Sequence, residues 1–132
     1  MQLEAFPALD RPANIAVVNG CPLLFGLELV DRGKLATHSF MAYAERDETI
    51  WTEGSPSDFV AIIGTGTVVL TRRDSHGSEI VIDKLEQGRC FGMEATCGRT
   101  KHLTNAVAAE HTWYLKIPAK VALAILCPHE DA

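Results

Sequence analysis

GTGTVVLTRRDSHGSEIVIDKLEQGRCFG, residues 64–92, carries the pattern that decides the fold. It continues a β-branched run, FVAIIGTGTVVLTRR (59–73), that Gly64 and Gly66 interrupt. Such a run, broken by glycine, predicts two strands with a tight bend between them. DSHG (74–77) is a hairpin turn pattern. Glu79–Leu85 is the next strand, with Ile80 and Ile82 alternating with polar neighbours. EQG (86–88) turns the chain again. The GTG at 64–66 opens no helix and has no Lys-Ser/Thr after it, so it reads as a strand bend and not a phosphate loop.

The same texture extends outward. Upstream, Ser39–Ala44 and Glu48–Trp51 have strand character, and TEGSPSD (52–58) clusters turn-forming residues. Downstream, Asn105–Ala109 and Trp113–Ile117 complete a series of about eight short strands. Helical spacing appears only at the flanks. Leu23, Leu24, Leu27, Val30 and Leu35 predict one or two short helices within Pro22–Ala36. Pro118 is expected at the first helical position before AKVALAILC (119–127), whose Val121, Leu123, Ala124 and Leu126 predict a C-terminal helix. Residues 1–20, with two prolines and an Asn-Gly end, are expected to form an irregular N-terminal strap, and 21–132 the folded domain. Regular short strands separated by turns make the chain mainly β, a sandwich or jelly-roll-like barrel.

Composition narrows the function. At 132 residues the chain is one domain, long enough to bury a core unaided. Its net charge is −5 and its basic residues are not pooled, which argues against direct nucleic-acid binding. No apolar run reaches membrane-spanning length, and the N-terminus lacks the basic-then-apolar layout of a signal peptide. The four cysteines, Cys21, Cys90, Cys97 and Cys127, form no C-x-x-C and fit no zinc or disulfide framework. They read as thiols in a reducing cytoplasm, with Cys97, beside Arg99 and Lys101, the candidate redox-sensitive one. The five histidines contain no H-x-H or H-x-x-x-H pair, so no metal site is expected. No Ser/His/Asp arrangement has a nucleophile elbow, so no enzyme is expected. Trp51 and Trp113 read as core or rim residues.

EGSPSD (53–58), the glycine-marked strand pair, the DSHG hairpin and the step L-E-Q-G-R-C-F-G (85–92) occur in one order. In this the chain resembles the cyclic-nucleotide-binding domain of the CRP/FNR superfamily and its kinase and channel relatives, over about Pro22 to Ala132. The resemblance implies a β-roll, a double-stranded β-helix or jelly roll, with short flanking α-helices. It also implies a phosphate-binding cassette at 91–106. The candidate ligand-binding residues are therefore Phe91, Gly92, Met93, Glu94, Ala95, Arg99, Lys101, His102, Leu103 and Thr104. A cassette has a plain physical basis. Backbone N–H groups at a short helix start face an anion, Gly92 allows close approach, an arginine grips phosphate and a carboxylate accepts from ribose.

The chain departs from the family pattern where that chemistry is concentrated. Nucleotide-binding members read F-G-E-aliphatic-A-L, with an arginine ten residues after the glycine and a small residue following it. Here Met93 stands in the glutamate slot, Glu94 in the aliphatic one, His102 in the arginine slot and Leu103 in the small one. The expected function is a regulatory sensor domain with a degenerate cassette that is not a standard cAMP site. FGMEA also resembles FNR/FixK-like regulators that do not use cyclic nucleotides. An FNR-type iron–sulfur cluster is not expected, because only Cys21 lies in the N-terminal region. One alternative is a working receptor for cAMP or cGMP with a re-registered cassette, Glu94 on ribose and Arg99 or Lys101 on phosphate. Another is an interaction module without a small ligand. Candidate partners are a small anionic ligand, a protein, or a second copy of the chain. The DNA-reading part of the transcription-factor relatives is absent from this sequence, which fits a standalone protein, a separate sensor domain, or one acting through a partner.

Overall fold

The structure, a computed structural model, describes residues 11–94 and 101–126. Cys97, Arg99, Ala95 and Cys127 lie outside the described residues. Two antiparallel four-stranded sheets face each other. One has the order β1-β8-β3-β6 and the other β2-β7-β4-β5. The strands are β1 (Phe40–Ala44), β2 (Thr49–Trp51), β3 (Phe59–Thr65), β4 (Val68–Arg73), β5 (Glu79–Leu85), β6 (Cys90–Phe91), β7 (Asn105–Ala108) and β8 (Thr112–Pro118). Three helices flank them: α1 (Arg11–Asn19), α2 (Leu29–Thr37) and α3 (Ala119–Leu126), with a 3-10 turn at Pro22–Leu24.

Strand β3 explains the layering. Its Val60 and Ile62 enter a core shared with α1, α2 and α3, which also holds Val18, Leu24, Leu35, Leu115, Ile117 and Ala122. The alternate residues Ala61 and Ile63 enter a second core between the sheets, with Trp51, Val68, Leu85, Phe91, Ala106 and Tyr114. A strand covered on both faces reads as a continuous apolar run, and VAII is that run.

The glycine-marked bend does more than reverse direction. β3 and β4 belong to different sheets, so Gly66 and Thr67 carry the chain from one layer to the other. Gly66 has φ +108° and lies against β8. A Cβ there would strike Thr112 Oγ1 and stand 2.5 Å from the His111 carbonyl oxygen. The Thr67 N–H donates to the buried Thr112 hydroxyl at 3.2 Å, locking the corner. The DSHG hairpin is closed by Asp74, whose carboxylate accepts from the His76 and Ser78 N–H groups at 2.8 and 2.9 Å, with Gly77 at φ +83°.

Three expectations need correction. Residues 11–19 form a helix rather than irregular chain. A proline is tolerated in its first turn, and buried Asn14 anchors the helix by donating to the Ala36 and Ser39 carbonyls at 3.2 and 3.1 Å. Pro118 ends β8 opposite Phe59 instead of opening the helix, and the first N–H of α3, that of Ala119, donates to the Asp58 carbonyl. β5 forms as expected, but Ile80, Val81 and Ile82 are all exposed. β5 is an edge strand, and Ile82 is an extra residue in its pairing with β4, since Leu70 faces Asp83 and Thr71 faces Val81. The bulge changes which residues of β5 share a face with the buried Leu85. β6, only two residues long, carries too little pattern to be read from sequence. No helix among the described residues is long and apolar enough to cross a membrane.

Gly66→Ala is expected to cost about 3 kcal/mol or more, combining a left-handed backbone with a clash that backbone atoms cannot relieve. Urea unfolding of the variant against the parent chain checks this.

Candidate functional site

The candidate cassette begins where β6 leaves the edge of β3. Phe91 pairs with Ala61 and is buried in the inter-sheet core. Gly92 follows at φ +85°. A Cβ on it would lie 2.7 Å from the Trp51 ring and 3.1 Å from the Phe59 carbonyl oxygen, so close approach is needed here, but to the protein's own indole. Met93 and Glu94 are half-buried. On the far side of the segment, Lys101 is exposed and its backbone bridges Pro56. His102 is 2% exposed, Leu103 is 47% exposed, and Thr104 is half-buried.

His102 organises this region. Its ring stacks on Trp51 with centroids 3.7 Å apart and planes inclined by 4°. Phe59 meets both rings edge-on, at 5.4 Å from Trp51 and 6.2 Å from His102, and Phe91 lies 5.1 Å from Trp51. The Nδ1–H of His102 donates to Glu94 Oε2 at 2.9 Å, since a carboxylate can only accept. The pair is an ion pair whenever the imidazole is protonated. The backbone is held as firmly. The Gly54 N–H donates to the His102 carbonyl and the His102 N–H to the Ser55 carbonyl, each at 2.9 Å. The EGSPSD turn therefore grips His102 by its backbone. Glu53 of that turn donates its N–H to Asn105 and accepts at its carboxylate from the Arg73 N–H.

The slot thus holds an aromatic box of Trp51, Phe59, Phe91 and His102 with a carboxylate against it. Charges of both signs stand beside the box, with Glu94 bonded to His102 and the Lys116 ammonium 4.3 Å from the Phe59 ring centroid. The box is not fully satisfied. The indole N–H of Trp51 is buried without a hydrogen-bond partner among the described residues, as is the Ser57 hydroxyl. Leu103, read as bulk in the ligand's path, is largely directed to solvent. Glu94, proposed as a ribose acceptor, has its carboxylate engaged by His102.

Sequence reasoning singled out the segment as a candidate but not its stack. Trp51 lies half the chain away, and nothing in its local pattern separates a cassette residue from a core tryptophan. The turn that receives His102 was visible as EGSPSD, but its backbone pairing was not.

Two further contacts link the segment to its surroundings. Met93 borders a cavity of about 250 Å3 lined also by Leu23, Gly26, Leu27 and Leu126, so Met93 and the end of α3 share one cavity. Cys90 packs beside Cys21. Its hydrogen bond lowers the Cys21 thiol to about 7, while that bond, and burial after it, push Cys90 well above the usual thiol range.

The glycine-marked crossing between sheets, the EGSPSD turn and the cassette position are features of one family. The model of the cyclic nucleotide-binding domain matches residues 42–127, well over half of the chain. The chain belongs to the cyclic nucleotide-binding domain family. No curated protein matches it significantly. Among solved structures it is similar to the regulatory subunit of a cAMP-independent protein kinase A from Trypanosoma brucei, in a triply substituted form bound to cAMP in the A site. That match has a TM-score of 0.84 and 23% identity, over 94% of this chain and 46% of that one. The corresponding Trypanosoma cruzi subunit, bound to guanosine, matches with a TM-score of 0.84 and 24% identity, over 94% and 44%. The sensor domain of the transcriptional regulator DNR from Pseudomonas aeruginosa matches with a TM-score of 0.78 and 15% identity, over 89% and 79%. At these identities the likeness is one of fold. The chain spans less than half the length of the two kinase subunits.

His102→Ala is expected to lower the unfolding free energy by about 2 kcal/mol, because it strips Glu94 of its donor and bares one face of Trp51. Chemical denaturation followed by tryptophan fluorescence checks this, with His102→Gln recovering part of the loss.

Proposed function

We propose that the chain is a non-enzymatic regulatory sensor domain of the CRP/FNR type whose cassette does not hold cAMP in the usual way. One observation carries this reading. The residue in the phosphate-gripping slot is a buried histidine, stacked on Trp51 and bonded to Glu94. An arginine would offer phosphate a charged, two-pronged donor. His102 instead directs its Nδ1–H into the protein.

A ligand entering this cassette has to displace the imidazole from the indole. The cost of parting the stack is offset in part by relief of the unpartnered Trp51 N–H, which a ligand acceptor atom can satisfy. Coupling to the rest of the domain runs through Met93. It packs against the helix-side core and shares the cavity with Leu126, so movement of the cassette start is felt by α3. A ligand shifts α3 only to the extent that it binds the displaced arrangement better than the closed one. The match to a subunit bound to guanosine makes an uncharged nucleoside a ligand to test beside the cyclic nucleotides. The alternative, a cyclic-nucleotide receptor using Glu94 for ribose and Arg99 or Lys101 for phosphate, requires Glu94 to give up His102.

Calorimetric titration with cAMP, cGMP and guanosine separates these readings. The parent chain is expected to show no micromolar binding of cAMP or cGMP. The variant Met93→Glu/His102→Arg/Leu103→Ala is expected to gain cAMP affinity by about 2 kcal/mol or more, about 30-fold, from a charge-assisted arginine contact. Micromolar cAMP binding by the parent, lost in Glu94→Ala and Arg99→Ala, would overturn the proposal in favour of the receptor. No ligand for either protein, with a stable homodimer or a defined protein partner, would favour an interaction module.

A further inference from the structure

The chain is acidic in balance, with a net charge of −5, yet two lysines and a histidine line one cavity between α2 and α3. The cavity measures about 430 Å3. From the α2 side come Asp31, Lys34 and His38, whose spacing of three and four residues puts them on one helix face. From α3 come Lys120 and an apolar floor of Val121, Ala124 and Ile125.

The two lysines are uncommitted. Arg32, the other cation of α2, donates to the Leu27 and Phe25 carbonyls and to the Asn19 side chain. Lys34 and Lys120 have no carboxylate within ion-pair distance among the described residues. Asp31 precedes Lys34 by one turn, a spacing at which an ion pair can form, and none does.

We propose that this cavity binds a small organic monoanion with an apolar body, of the medium-chain carboxylate class. Its size is the first reason. Small-molecule sites measure roughly 300–1,000 Å3 and combine apolar walls with a few placed polar groups. Charge is the second. Two ammonium groups and one carboxylate, with the histidine neutral, leave a single positive charge that a monoanion balances. A ring nitrogen of His38 can donate a further hydrogen bond to the anionic head. Room for the apolar body is the third. An adjoining cavity of about 350 Å3, lined by Leu29 and Val30, shares Lys34 and His38 with the first.

The cavity lies over the joint where Leu35 and Ala36 of α2 and Ala122 of α3 enter one core. A ligand bridging Lys34 and Lys120 ties the two helices together. None of the lining residues belongs to the candidate cassette, so this site is separate from any nucleotide's.

The test is an NMR titration of the full, isotope-labelled chain with octanoate at low ionic strength, with octanol and inorganic phosphate as separate arms. One equivalent of octanoate is expected to bind, with amide shifts concentrated on α2 and α3. Octanol and phosphate are each expected to bind at least roughly fivefold more weakly. Lys34→Gln/Lys120→Gln is expected to lose about tenfold in octanoate affinity and most of its salt dependence, since each exposed charge contact contributes up to about fivefold. Ala124→Trp, at an exposed position, keeps both lysines but fills the cavity, and is expected to abolish saturable binding. Circular dichroism checks that both variants fold. Octanoate affinity unchanged in the lysine pair, octanol held as tightly as octanoate, or no saturable octanoate binding would overturn the site. So would phosphate held as tightly as octanoate, the mark of an adventitious cluster of exposed lysines.

Discussion

Strand β3 has no solvent face, and the rest of the domain is arranged around that constraint. Val60 and Ile62 need cover on one side and Ala61 and Ile63 on the other, so helices must pack on one face and a second sheet on the opposite one. Both edges of β3 are also used. β8 pairs along its whole length, and β6 takes the other edge for two residues before the cassette leaves it. The candidate cassette is thus hung from a strand covered on both faces. Gly92 rests over the Phe59 carbonyl and the Trp51 ring, both fixed by the same core.

At the candidate site the backbone and the side chain of His102 are held by different partners. The turn at Gly54 and Ser55 pairs with its backbone. Its side chain has turned inward, to an indole and a carboxylate. Stacked aromatic rings and a charge-assisted hydrogen bond contribute on the order of 1–3 kcal/mol each. Any occupant of the slot has to exceed that before it is held.

How far the sequence could be read follows from the range over which each feature is encoded. The DSHG hairpin is local, with Asp74 and Gly77 fixing it between them, and it was legible. The same holds for the β3 run and α3. The switch of sheets at Gly66 depends on what its backbone meets, Thr112 some 45 residues on, and only the bend itself could be read. The exposure of Ile80 and Ile82 follows from the place of β5 at the sheet edge, which its own pattern does not encode. At the site, the substitutions at 93, 94, 102 and 103 were visible as departures, but their consequence was not. That consequence rests on Trp51, which no spacing rule connects to His102.

The bulge at Ile82 has a consequence for the molecule among its own kind. An edge strand displaying three consecutive apolar side chains is a template onto which another chain could zip. The extra residue twists that edge out of flat register. Asp83 and Lys84 follow it directly, with Arg89 paired to Asp83 at 3.6 Å. A strand arriving from a neighbour would meet an interrupted row of hydrogen-bonding groups and a fixed charge pair. The irregularity in β5 thus opposes assembly of the domain edge to edge at high concentration.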